Sequence, residues 1–196
     1  MKVFINGTEV NRSWRGGESF AQVLNNLDKE YPQDEVITKA CLNGEEFTLK
    51  ELRALPSNVG AGETLRLRTE SIDQVVKHVL EETIETLIMV QRDLKESANY
   101  FSENERSEAG RSLLNCRDGL RRITALLSRV LILEEGEKEI RGRQLLLKLD
   151  SDLWGIIHSL EAGIEADVFI RWTNRVERDL QHLIIFCRNL QSVKEG

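Results

Sequence analysis

From Ser71 onward, apolar residues return every three or four positions with charged residues between them, the period of an amphipathic α-helix. Ser71-Ile72-Asp73-Gln74 has the form of a capping box, in which a Ser hydroxyl and a Gln side chain satisfy backbone N–H groups at a helix start. Ile72, Val75, Val76, Val79, Leu80, Ile84, Leu87, Ile88 and Leu94 follow on one face, which fades near Tyr100-Phe101. Ser102-Glu103-Asn104-Glu105 reads as a second capping box. The helix behind it carries Leu113, Cys116, Leu120, Ile123, Leu127 and Val130, alternating steps of three and four that make a heptad seam. Glu135-Gly136-Glu137 marks its end. A third helix carries Leu146, Leu149, Leu153, Ile157, Leu160 and Ile164, with Trp154 beside the seam and Gly163 near its end. A fourth carries Phe169, Trp172, Val176, Leu183, Cys187 and Leu190, with Leu180 filling out the face. Each predicted helix has roughly 25–30 residues, or ~40 Å of length. The short connections favour antiparallel neighbours, hence a four-helix bundle over residues 71–196. The strict seam over Leu113–Val130 also permits a homodimer through helical seams.

The first third is patterned differently. Both prolines of the chain (Pro32, Pro56) and both Asn-Gly pairs (Asn6-Gly7, Asn43-Gly44) lie in it, which places a boundary near Thr69–Ser71. Lys2–Ile5 and Thr8–Ser13 read as strands joined at Asn6-Gly7, because a two-residue hairpin turn needs positive φ at both positions. Phe20, Val23, Leu24 and Leu27 share one helical face, which begins at Glu18-Ser19 and ends at Tyr31-Pro32. Glu35–Leu42, Glu45–Thr48 and Thr64–Arg68 read as further strands, with a helical turn over Lys50–Leu55 and a break at Gly60-Ala61-Gly62. The opening Met-Lys-Val-Phe-Ile-Asn-Gly-Thr-Glu-Val, the later Cys-Leu-Asn-Gly-Glu-Glu and the order of elements resemble the small sulfur-carrier proteins of the β-grasp, or ubiquitin-like, superfold. The resemblance covers about a third of the chain and implies a β-grasp module over residues 1–70. Those carriers end in a free Gly-Gly whose carboxylate is activated. Here the last strand runs through Arg68-Thr69-Glu70 into a helix, which sets carrier chemistry aside. The expected class is therefore α+β, a β-grasp-like domain followed by an antiparallel, mostly four-helix bundle.

Composition narrows the partners. The net charge is −6, with 31% charged residues, and it is not segregated. Residues 1–70 carry 9 Lys+Arg and 11 Asp+Glu, and residues 71–196 carry 18 and 22. An acidic chain without a basic lobe lacks the phosphate-neutralising surface that nucleic acid binding needs, and it disfavours an anionic membrane surface equally. Val3–Ile5 is too short for the apolar segment of a signal peptide, and no apolar run approaches the ~20 residues of a membrane span. Three scattered cysteines, Cys41, Cys116 and Cys187, fit a reducing cytoplasm better than a disulfide framework.

Specific chemistries then fall away. A di-iron carboxylate bundle needs two Glu-x-x-His motifs, and only Asp179-Leu180-Gln181-His182 approximates one. The residues three before His78 and His158 are Val75 and Gly155, so no metal or cofactor is expected. Cys116 and Cys187 lie on apolar seams, where a thiol behaves as a small hydrophobe. Gly16-Gly17 and Gly60-Ala61-Gly62 match neither phosphate-binding glycine pattern. Arg171, Arg175 and Arg178 fall at i, i+4 and i+7 on one face of the last helix. Arginines so placed are either a solvated row paired to nearby acids or a patch for an acidic protein partner. Trp14, after the second strand, is the aromatic best placed to anchor an interface, whereas Trp172 falls on the seam. The expectation is a non-enzymatic protein-binding, adaptor or chaperone-like protein, with Trp14, Arg171, Arg175 and Arg178 as candidate contacts. Two alternatives stand beside it. One is a self-assembling structural protein. The other is an enzyme using inward carboxylates such as Glu81, Glu85, Asp150 or Asp152.

Overall fold

The computed structural model describes residues 1–10, 18–30, 34–55, 60, 62–133 and 136–193. The chain divides into two compact units, residues 1–75 and 76–196.

The first unit is a five-stranded mixed sheet with helices. Its elements are β1 (Lys2–Ile5), β2 (Thr8–Glu9), α1 (Phe20–Glu30), β3 (Glu35–Leu42), β4 (Glu45–Phe47), α2 (Leu49–Ala54) and β5 (Thr64–Ser71). The strand order is β2-β1-β5-β3-β4, with β1 and β5 parallel and the other pairs antiparallel. Both Asn-Gly turns form as the pattern predicts, with Asn6, Gly7, Asn43 and Gly44 all at positive φ. The apolar face of α1 is fully buried: Phe20, Val23, Leu24 and Leu27 pack with Val3, Ile5, Leu52, Leu65 and Leu67. Burying each such side chain contributes about 1.5–3 kcal/mol before entropy is counted. Thr48 ends no strand. It caps α2, accepting from the Glu51 N–H while the Glu51 carboxylate accepts from the Thr48 N–H. The Thr48 N–H and the Thr48 hydroxyl both donate to the Glu51 carboxylate and hold it below its ordinary pKa.

The second unit is built on four long helices, α3 (Ile72–Ser102), α4 (Arg106–Leu131), α5 (Glu137–Glu161) and α6 (Ala166–Val193). They close on themselves. From Val76 on, α3 meets α4 through Ser97 donating to the Ala109 carbonyl (2.9 Å) and Ser112 donating to the Asp93 carbonyl (2.6 Å). α4 packs on α5, and α5 on α6. α6 returns to α3 through the stacked rings of Phe101 and Phe169, 4.2 Å apart, and through Glu177, which receives Gln91 and Lys95. All four contacts run antiparallel, as short connections require.

The innermost row of α3 is Val76, Leu80, Thr83, Leu87, Val90, Leu94, Ser97 and Phe101, and that of α6 is Phe169, Thr173, Val176, Leu180, Leu183, Cys187 and Leu190, with Thr86, Asp179, Ile184 and Phe186 buried beside these rows. Both step by three and four throughout, the knobs-into-holes period. The Leu113–Val130 seam of α4 is likewise buried inside this bundle, so it offers no surface for pairing with another copy. Three expectations change. Trp172 is 38% exposed, because Thr173 takes the inward position and its hydroxyl donates to the Ile170 carbonyl at 3.0 Å. Ile88 is exposed, because the α3 face runs through Leu87 and Val90. Ser102 does not cap α4: its hydroxyl donates to the Ala98 carbonyl within α3, and α4 begins behind Glu105 without a side-chain cap bond.

Glycine sets how closely the helices approach. A Cβ on Gly119 of α4 would stand 2.4 Å from Cγ2 of Val90 on α3, and one on Gly142 of α5 would stand 2.7 Å from Cδ2 of Leu131.

Candidate functional site

On α4, Arg117, Arg121, Thr124 and Ser128 rise along the edge facing α5 at steps of four, three and four. On α5, Arg143, Leu147, Asp150 and Trp154 do the same in the opposite direction. Between the two rows runs a groove of about 420 Å³, bordered by Arg121, Thr124, Ser128, Arg143, Asp150 and Trp154 and containing Leu146 and Leu147. Leu146 is buried, whereas Leu147 is 72% exposed. The Arg117 guanidinium lies over the Trp154 ring, 3.9 Å from its centroid, a cation–π contact worth about 0.5–2 kcal/mol. His158 stacks near the same ring at 5.1 Å. Arg117 Nε is buried and has no hydrogen-bond partner among the described residues. Arg143 Nε reaches Glu139 on its own helix at 2.9 Å. The Thr124 hydroxyl is committed to the Leu120 carbonyl. The groove therefore offers an apolar floor, an aromatic wall and guanidinium donors at its rim, features suited to binding a side chain or a helix.

A second polar arrangement lies between α5 and α6. Lys148 Nζ meets Asp179 Oδ1 at 2.8 Å, and one turn on Arg175 Nε meets Asp152 Oδ2 at 3.4 Å. The two pairs are reciprocal, each helix giving one cation and one carboxylate. Asp179 is 5% exposed, a buried acid that its Asp-x-x-His context in the sequence did not mark as inward. A smaller cleft of about 150 Å³ runs beside Asp152, Gly155, Trp172 and Arg175. Glu81, Glu85 and Asp150 are exposed, and Asp152 and Asp179 each have a cationic partner. No two carboxylates converge without a counter-charge among these positions, so they do not form the paired acid site that a carboxylate enzyme requires.

Of the residues picked from sequence, Arg171, Arg175 and Arg178 are all exposed on α6. Arg171 Nε donates to the Asp167 carbonyl at 3.2 Å, and Arg175 pairs across to α5. The structure brings Arg175 and Trp172 to one cleft, while Arg117, Arg121 and Arg143 belong to the α4–α5 groove. Trp14 lies outside the described residues. His78, His158 and His182 are exposed, and no three His, Cys, Asp or Glu side chains converge on a metal-sized site among the described residues. The sequence reading places Trp154 beside the α5 seam without giving it a role, and does not single out Ile140 or Leu147. Their seven-residue spacing, off the buried seam of α5, was the available signal.

No helix among the described residues is long and apolar enough to cross a membrane. Compared with protein-family models, with curated proteins and with solved structures, the chain matches none.

Proposed function

We propose that this chain is a non-enzymatic, cytoplasmic protein-binding protein of the adaptor or chaperone-like kind. In this reading a β-grasp, ubiquitin-like module is joined to a helical body, and the α4–α5 face receives a protein partner. The β2-β1-β5-β3-β4 order, with its parallel central pair, supports the β-grasp assignment. That superfold serves widely as a docking platform, an analogy at the level of fold.

The observation that carries the reading is the distribution of exposed apolar side chains. Leu147, the most exposed of them at 72%, lies in the groove walled by Trp154, and Ile132, Leu133 and Ile140 are exposed in the turn before α5 and in its first turns. Clustered apolar exposure rimmed by polar groups marks an interaction surface, whereas scattered single residues do not. The test is affinity capture from native lysate with the full chain and with Leu147→Asp as baits. Leu147 is solvent-facing, so the variant is expected to keep its melting midpoint and lose the wild-type partner. Recovery of the same proteins by both baits would remove the α4–α5 face from the reading.

A further inference from the structure

Ile140 and Leu147 stand one above the other on the outward side of α5, 57% and 72% exposed, and the half-buried Trp154 follows seven residues on with Arg117 over its ring. Arg143 and Asp150 lie between them, both on the flank that borders the α4–α5 groove. At 3.6 residues per turn the five positions fall within an arc of about 80°. Leu147 is the midpoint of the stripe. It lies seven residues from Ile140 and from Trp154, four from Arg143 and three from Asp150.

That spacing is self-complementary. Set α5 against an antiparallel copy about a two-fold axis at Leu147. Leu147 then meets Leu147, and Ile140 meets the copy's Trp154. Arg143 comes within about 1.5 Å of axial rise of the copy's Asp150. The two-fold keeps each flank on its own side, so guanidinium and carboxylate face one another, and every contact forms twice. From this geometry we infer that the α5 face is an isologous self-association surface whose occupant is a second copy of this chain. The inference names the partner of the face described above and rests on that reading.

One further observation favours a copy over an unrelated partner. The stripe carries one cation and one anion, and Arg143, whose Nε pairs with Glu139 on its own helix at 2.9 Å, would share its guanidinium with the copy's Asp150.

Sedimentation equilibrium of the full chain, from low micromolar to near-millimolar concentration, tests the inference. The mass is expected to rise from 22.5 kDa toward twice that value. Arg143→Asp and Asp150→Arg should each weaken the dimer at least ~10-fold, because each sets like charges together at both symmetric contacts. The double variant Arg143→Asp/Asp150→Arg should restore the wild-type dissociation constant, and a mixture of the two single variants should pair where neither does alone. A simple folding defect would produce neither rescue. A wild-type chain that stays monomeric throughout would overturn the inference, as would a dimer that the single reversals leave unchanged. If that monomer still captures a partner that Leu147→Asp loses, self-association fails and the protein-binding reading stands. If Leu147→Asp changes nothing, both fail.

Discussion

Asn6 and Asn43 each do two things. Both sit at positive φ in the Asn-Gly turns, and both turn their carboxamides onto β5. Asn6 accepts from the Thr69 N–H at 3.0 Å and donates to the Thr69 hydroxyl at 2.8 Å, and that hydroxyl donates to Glu35 at 2.6 Å. Asn43 accepts from the Thr64 N–H at 2.8 Å. The turn propensity of Asn-Gly was legible from sequence, but its second role was not, because the partner lies 63 residues away for Asn6 and 21 for Asn43. The cysteines show the reverse case, where the seam position alone foretold the chemistry. Burial pushes the Cys116 and Cys187 thiols up to about 12, and the nearby Asp93 carboxylate adds to the effect at Cys116. The folded state thus holds these protons more tightly than the unfolded chain, whose thiols titrate near 9. The stability this provides is complete below pH 9 and is lost as pH rises toward 12. Iodoacetamide at pH 8 should therefore label Cys41 and spare Cys116 and Cys187 until denaturant is added. Urea midpoints should fall between pH 8 and pH 10.5, and fall less in a Cys116→Ala/Cys187→Ala chain. Rapid native labelling of all three thiols would contradict the buried seams.

At the scale of the helix, existence was legible and phase was not. The apolar period marks each of the four long helices, and the seam from Leu113 to Val130 is the buried face of α4. The apolar pattern departs from the buried faces of α3 and α6 at Ile88 and Trp172, because side-chain type alone does not set helix phase. Phase is set instead by the two neighbouring helices, which turn Thr83, Ser97 and Thr173 inward. A polar residue on the seam is tolerated when its hydroxyl has a backbone carbonyl to donate to, as all three have. The α4–α5 groove went unseen for a related reason: it is a property of two helices side by side, and neither row of residues is unusual by itself. Helix approach gives a direct test. An unobstructed Gly→Ala change inside a helix gains about 1 kcal/mol from propensity. Gly155, whose nearest neighbour to a new Cβ is 3.9 Å away, should behave that way. Gly119→Ala should not, because its Cβ would meet the stiff, β-branched Val90 at 2.4 Å. Overpacking there is expected to outweigh the propensity gain and leave a net loss of ~1–2 kcal/mol. Thermal melts of the two variants should move in opposite directions. A rise in Tm for Gly119→Ala would mean that α3 and α4 are not held this close.

At the scale of the molecule, the chain alternates two kinds of order. The bundle joins helices to their neighbours in sequence, apart from the closing α3–α6 contact, and so is dominated by short-range connection. The sheet unit does the opposite. Its centre is the parallel pair of β1 and β5, the first and last strands of the unit, with more than fifty residues between their ends. During synthesis, then, Lys2–Ile5 emerges early and waits: β2 is only two residues long, and the strand that completes β1 on its other side is the last to be made. A ribosome stalled with Gly60 just outside the exit tunnel should carry a protease-sensitive nascent chain. One stalled with Ser71 and the first turn of α3 exposed should carry a resistant one, with the transition between them sharp rather than gradual. The N-terminal unit would thus be released to fold only as the first bundle helix begins to appear.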